Sequence, residues 1–259
     1  MISFATLYSS SKGNSTFVAS KKTKILVDAG MAACHIEQAM ESIGQSMKDV
    51  SAILITHEHQ DHIKSAGSLS RRYDIPIYAT PKIWETYHRF GNISERNQRK
   101  YEYGMTIGEF SFDFFKTFHD AVQPVGLVIR AGETKLGICT DTGIVTEKMI
   151  GMLQNAHGLI FESNHDPEML RYSRYAPALK ARIAGKLGHL SNGDAVAALR
   201  QIIGPDTVEV VLAHLSEENN RPELAYETAR KGLADLGIND RICLSVAPPD
   251  HTSNIIILP

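Results

Sequence analysis

His57, His59, Asp61 and His62 place three imidazoles and a carboxylate within six residues, in Thr56-His57-Glu58-His59-Gln60-Asp61-His62. Imidazole and carboxylate together are ligands for divalent cations such as Zn²⁺ or Mn²⁺. In an extended loop His57 and His59 point to one side and can grip one cation. Asp61 and His62, where the chain turns into a helix, can reach a second. The helical zinc-protease pattern His-Glu-x-x-His is excluded, because its fifth position here is Asp61. A polar loop that binds nothing is the bland alternative. With only 11 histidines in 259 residues, such a density weighs against it.

Other residues carry chemistry less securely. Ser191 and Asp194 read as a capping box, so His189 sits just before a helix start, a place suited to meeting an anionic substrate. Ser9-Ser10-Ser11-Lys12-Gly13-Asn14 is a tight hairpin by composition. Its amides, with Lys12 and Asn14, could also hold a phosphate. Asn164 and His165 follow a strand and either face a cleft or close a turn. Arg171, Arg174, Lys180, Arg182 and Lys186 lie in a stretch without acids, which fits a polyanion footprint or a solvated basic helix face. Asp28 ends a strand, where an acid is commonly a turn former or cap. Asp141-Thr142-Gly143 is weak alone, and without a second copy it makes a poor aspartic protease. Cys139 belongs with the core.

The elements that must position these groups alternate along the chain. Strands are expected at 2–8, 15–20, 24–30, 52–55, 76–79, 109–118, 125–129, 135–139, 159–162, 208–213 and 241–246. Helices are expected at 35–43 (closed by Gly44), 63–73, 82–90, 195–203 and 222–237. Residues 89–100, with Arg96, Arg99 and Lys100, read as a solvated connection or a substrate-contacting edge, and His251 as part of a Pro-rich tail. With no repeat or long linker, one α/β domain over 1–259 is expected.

Composition sets outer bounds. A chain with 43% hydrophobic residues can build a substantial core, and a net charge of −2 excludes a protein coated in positive potential. Cys34, Cys139 and Cys243 are scattered and odd in number, which suggests a reducing compartment and no thiolate metal site. No signal-peptide pattern or spanning apolar run is visible, so a cytoplasmic protein with no membrane partner is expected.

The run His-x-His-x-Asp-His after a buried strand resembles the metal motif of the metallo-β-lactamase fold superfamily. The resemblance implies an αββα sandwich of two mixed β-sheets flanked by helices, with a two-metal hydrolytic site at one edge. It would place one metal on His57, His59, His119 and Asp141, and the other on Asp61, His62, Asp141 and His214, with a hydroxide between. Asp61 would then also be essential to turnover. Asp28 matches an acid that supports such sites by hydrogen bonding. Ser9–Asn14, Leu26–Gly30, Thr56–His59, His119-Asp120, Glu162–Asp166, Gly188–Asn192 and His214–Asn220 together are similar to the YycJ/WalJ group. Its members are regarded as nucleases, usually 5′-to-3′ exonucleases on DNA. The later His-centred segments also look like those of RNase Z relatives, which implies a catalytic role for His189 and metal binding for His214. The large inserted domain of RNase J-type enzymes has no room here.

The expected activity is therefore phosphodiester hydrolysis of single-stranded DNA, with two divalent ions, Zn²⁺ or Mn²⁺. The same metal core could instead hydrolyse a small cyclic phosphodiester, thioester or lactam. A non-catalytic metal-binding module is a third reading, disfavoured by the full ligand set.

Overall fold

The computed structural model describes residues 1–86, 89–234 and 241–259. Two seven-stranded sheets face each other. The first contains β1 (Ile2–Ser10), β2 (Gly13–Ala19), β3 (Lys24–Val27), β4 (Ala52–Leu54), β5 (Ile77–Ala79) and β6 (Gln98–Lys100). The second contains β7 (Thr106–Ile107), β8 (Phe110–Lys116), β9 (Val125–Ala131), β10 (Thr134–Cys139), β11 (Gly158–Glu162), β12 (Glu209–Ala213) and β13 (Cys243–Val246). The C-terminal β14 (Ile256–Leu258) returns to pair with β1 on the edge of the first sheet. Both sheets are mixed: β1–β3 and β7–β10 pair antiparallel, while β3–β6 and β10–β13 pair parallel.

Side-chain alternation explains the layering. Ile25 and Val27 of β3 face the central layer with Ile160 of β11 and Val211 of β12. Leu26 faces the other way, onto α1 (Ala33–Ser42) and α3 (Ala66–Tyr73). Leu159, Phe161, Val210 and Leu212 likewise pack outward, against α5 (Glu147–Leu153), α8 (Asn192–Ile202) and α9 (Pro222–Ala234). The shorter helices are α2 (Gln60–Ile63), α4 (Pro81–Thr86), α6 (Pro167–Tyr172) and α7 (Pro177–Ile183). The result is the expected helix–sheet–sheet–helix sandwich. Among the described residues, no helix is long and apolar enough to cross a membrane.

Some elements differ from the sequence reading. The expected helix 63–73 is broken at Ser65, whose amide and hydroxyl both donate to the Ala29 carbonyl and so pin the chain to the end of β3. The Ser9–Asn14 loop is mostly ladder, since Ser9 pairs with Asn14 and Ser10 with Gly13, leaving Ser11-Lys12 as the turn. Residues 98–100 form an edge strand instead of a solvated connection. Part of the tail is β14. The expected helix ends at residues 87–88 and 235–237 lie outside the described residues. Gly44 closes α1 with φ +69°, a conformation open to glycine without a Cβ penalty.

Candidate active site

Ends of strands from both sheets deliver the polar groups to one edge of the sandwich. Asp28 follows β3, the loop 56–62 follows β4, His119 follows β8 and Asp141 follows β10. Glu162 ends β11 and His214 follows β12. Three of these residues turn sharply out of their strands in the left-handed region, with φ +63° at Asp28, +57° at Asp141 and +56° at His214. Such backbone is uncommon outside glycine, and here it coincides with the chemistry.

Ligand-type atoms meet in overlapping groups, within 4.8 Å of one another in each: His57, His59 and His119; Asp61, His62 and His214; and His57, His62 and Asp141. Asp141 lies between the first two groups. One of its oxygens is 3.3 Å from His62 Nε2, the other 3.7 Å from His119 Nε2 and 3.4 Å from His214 Nδ1.

Hydrogen bonds behind the rings fix which nitrogens face inward. His62 Nδ1 donates to Asp28 Oδ2 at 2.8 Å, and His119 Nδ1 donates to the Gly188 carbonyl at 3.1 Å. Thr56 Oγ1 donates to Asp28 Oδ2 at 2.8 Å, so it accepts from His57 Nδ1 at 3.1 Å. His214 Nδ1 donates to Glu162 Oε1 at 3.1 Å. Each of these four histidines therefore turns its Nε2 toward the cluster, the arrangement that carboxylates and carbonyls impose on metal-binding imidazoles.

The atoms left over fit cations. His57 Nε2, His214 Nε2 and Asp141 Oδ2 are buried with no hydrogen-bond partner. Leaving one such group unsatisfied costs about 1–3 kcal/mol. Three in one cluster, each within a group of ligand-type atoms, are explained by divalent ions that accept their lone pairs. His119 Nε2 and His59 Nδ1 face each other at 3.2 Å, again a place for a shared cation.

Charge in the cluster follows the same logic. Burial, with His62 beside it, holds His57 far below its ordinary pKa, and burial lowers His119. Burial opposes the charged forms of His62 and His214 too, but the carboxylates win. Asp141, Asp28 and Asp61 raise His62 well above the ordinary value, and Asp141, Asp61 and Glu162 push His214 up to about 10. Against their own burial, the neighbouring histidines hold Asp61 and Asp141 well below the usual carboxylate range and Glu162 down to about 2.

Glu162 is the residue that sequence reasoning missed. It is 0% exposed, and it accepts from His189 Nδ1 at 2.8 Å, from His214, and from the amides of Asp141, Thr142 and Leu190. The available signal was a carboxylate abutting a fully apolar strand, where an unpartnered charge is too costly to keep. His189, 19% exposed at its side chain, is thereby held at the rim of the cluster.

The residues expected to touch substrate differ in placement. Asn14 is buried, and its amide nitrogen lies 3.0 Å from the Ser10 carbonyl, 3.3 Å from Asp61 Oδ2 and 3.1 Å from His62 Nε2. It braces Asp61 from behind. Asn164 is buried and donates to the His214 carbonyl at 2.8 Å, so it steadies that loop. His165 is 3% exposed and bridges by backbone to Ser191. Lys12 remains exposed but pairs with Glu217 at 2.6 Å. In the basic segment, Arg182 is engaged by Asp120 at 2.5 Å and Lys180 by the Arg171 carbonyl.

Residues 11–214 match the family model of the metallo-beta-lactamase superfamily. The chain belongs to that superfamily. It is 40% identical over 237 residues to the exodeoxyribonuclease YycJ of Bacillus anthracis, covering 90% of each chain. It is 39% identical over 242 residues to the exodeoxyribonuclease WalJ of Streptococcus pneumoniae serotype 2, covering 91% of this chain and 90% of that one. The fold also matches the crystal structure of the metallo-beta-lactamase fold protein YhfI from Bacillus subtilis, with a TM-score of 0.72 at 17% identity, over 97% of this chain and 98% of the other. Within the superfamily the chain falls in the YycJ/WalJ group, and it is a metal-dependent hydrolase.

Proposed function

We propose that the protein is a dinuclear phosphodiesterase that removes nucleotides from the 5′ end of single-stranded DNA. The observation that carries this reading is the pair of ligand groups sharing Asp141, beside a histidine held by a buried glutamate. Near-full-length similarity to proteins named exodeoxyribonucleases supports the DNA substrate.

His57, His59 and His119 would hold one ion and Asp61, His62 and His214 the other, with Asp141 between them. Imidazole and carboxylate donors suit Zn²⁺ or Mn²⁺. When bound, such a pair supplies Lewis acidity and a nucleophilic water at neutral pH. The protein's own groups supply the rest. Glu162 accepts the Nδ1 proton of His189, which leaves Nε2 facing outward to give a proton to the departing 3′ oxygen. Asp28, Thr56 and Asn14 keep the ligand rings and Asp61 from rotating away.

The test is elemental analysis of the purified protein together with digestion of labelled single strands carrying either a 5′-phosphate or a 5′-hydroxyl. Two divalent ions per chain and mononucleotides released from the 5′ end are expected. Preferential cleavage of a thioester, or intact DNA after incubation with metal-loaded protein, would overturn the reading. Asp61→Asn should abolish release while leaving the circular dichroism spectrum unchanged.

A further inference from the structure

Beside the loop that carries His57 lies a cavity of about 430 Å³ that the proposed chemistry does not use. That volume is in the range of small-ligand pockets, about 300–1,000 Å³. The cavity is joined directly to the metal loop. Tyr101 Oη donates to the Ile55 carbonyl at 2.8 Å, and the Val125 amide donates to the Thr56 carbonyl at 3.1 Å, one residue before His57. Its walls are aromatic. Tyr101 stacks on Phe114 with ring centroids 4.2 Å apart, and Phe112 lies alongside. Tyr103 stands at the mouth, fully exposed at 103%.

A single exposed aromatic means little by itself. Tyr103, however, follows Glu102, which lines both this cavity and a second, polar-walled concavity of about 590 Å³ with Arg99 and Lys100. Both cations are on β6, an edge strand with all three residues exposed, and neither side chain has an ion-pair partner among the described residues. Charged residues on an edge can serve merely to block pairing with another sheet. That purpose does not account for an aromatic hollow next to them, whose wall residue Val125 is hydrogen-bonded to Thr56 beside His57.

We infer that the aromatic cavity and the basic edge form a track for single-stranded nucleic acid, with a nucleobase against Tyr103 and backbone phosphates on Arg99 and Lys100. The inference rests on the phosphodiesterase reading and extends it, by saying where the strand lies beyond the scissile bond. Every base offers a π-face, so stacking tolerates sequence, while flexible cations follow the phosphates. Gln123 and Glu102 at the wall offer polar atoms to base edges. Asp113, also in the wall, is tied to Arg130 and competes less for cations.

The test compares the metal-loaded wild type with Tyr103→Ala, Tyr103→Trp and Arg99→Ala/Lys100→Ala. The substrates are bis-p-nitrophenyl phosphate and oligo-dT strands of increasing length. In the wild type, KM should fall as the strand lengthens. Tyr103→Ala and the double variant should raise KM for long strands on the order of ten-fold, with kcat and bis-p-nitrophenyl phosphate hydrolysis unchanged. Tyr103→Trp should restore the wild-type KM. Variants that keep the wild-type KM at every length would overturn the track and leave the phosphodiesterase reading standing. A wild type that cleaves no phosphodiester at all would sink both.

Discussion

Glu162 is fully buried, yet its two oxygens meet two histidine rings and the amides of Asp141, Thr142 and Leu190. Such a group cannot be neutral packing, because each partner is part of the site. Glu162→Gln keeps the shape but takes away the carboxylate that orients His189 through Nδ1, so kcat on DNA should drop on the order of 10²-fold, within the usual worth of a general acid. It should also weaken metal binding through His214 by roughly 10–100-fold. Measuring kcat at saturating metal separates the two effects, and an unchanged kcat there would remove His189 from acid duty. His189→Ala offers an independent check. A nitrophenolate leaves without help from a proton, so this variant should lose far more activity on DNA than on bis-p-nitrophenyl phosphate. Equal losses on both substrates would mean that His189 binds phosphate instead.

At the scale of elements, the site depends on how closely the loop after β4 is pressed against the end of β3. Gly30 is where they touch: a Cβ there would overlap the Asp61 carbonyl and come within 2.7 Å of the Asn14 amide. These are backbone atoms that cannot swing aside. Gly30→Ala should therefore cost about 1–3 kcal/mol and lower metal affinity. Thermal melts with and without added zinc should show a smaller zinc-induced rise than in the wild type; an equal rise would mean that the loop relaxes freely. The same contact shows what could be read from the chain alone. His57, His59, Asp61 and His62 were legible because four ligand-type residues fall close together in sequence; His119 and His214 stood out only through the family resemblance, since a lone histidine after a strand is unremarkable by itself. Glu162 was not legible, since its partners lie about 20 to 52 residues away and only the parallel register of β10, β11 and β12 brings them together. The same holds for Asn14 and Asn164. A short amide side chain looks alike in a turn, a brace or a substrate contact until its partner is known. The break in the helix at Ser65 was hidden for the same reason, because the Ala29 carbonyl that causes it belongs to another element.

Across the whole molecule, the two sheets gather Asp28, Asp61, Asp141 and Glu162 at one edge, and without cations their charge is offset by protons on imidazoles. His214 is raised from 6.5 to about 10 by Asp141, Asp61 and Glu162, so its contribution to stability is complete below about pH 6.5 and drains away as pH climbs toward 10. His62 is shifted in the same direction. The carboxylates act oppositely. Glu162, lowered from 4.5 to about 2, stabilises the fold above its ordinary range and stops doing so as pH falls through about 2, and Asp61 and Asp141 follow the same sense. His57 and His119, which burial keeps neutral, work against the fold as pH falls below about 6.5, so the metal-free protein should be at its best near pH 6.5 and soften on the alkaline side. Bound divalent ions take the place of those protons, so loading must release them. Melting temperature of chelated protein should fall between pH 6.5 and 10 while that of the metal-loaded form stays nearly level. Calorimetric titration of zinc at a pH inside that window, in buffers of different ionisation enthalpy, should register protons leaving as metal enters. Parallel alkaline decline in both forms, with no buffer dependence of the heat, would show that cations and protons do not compete for the same nitrogens.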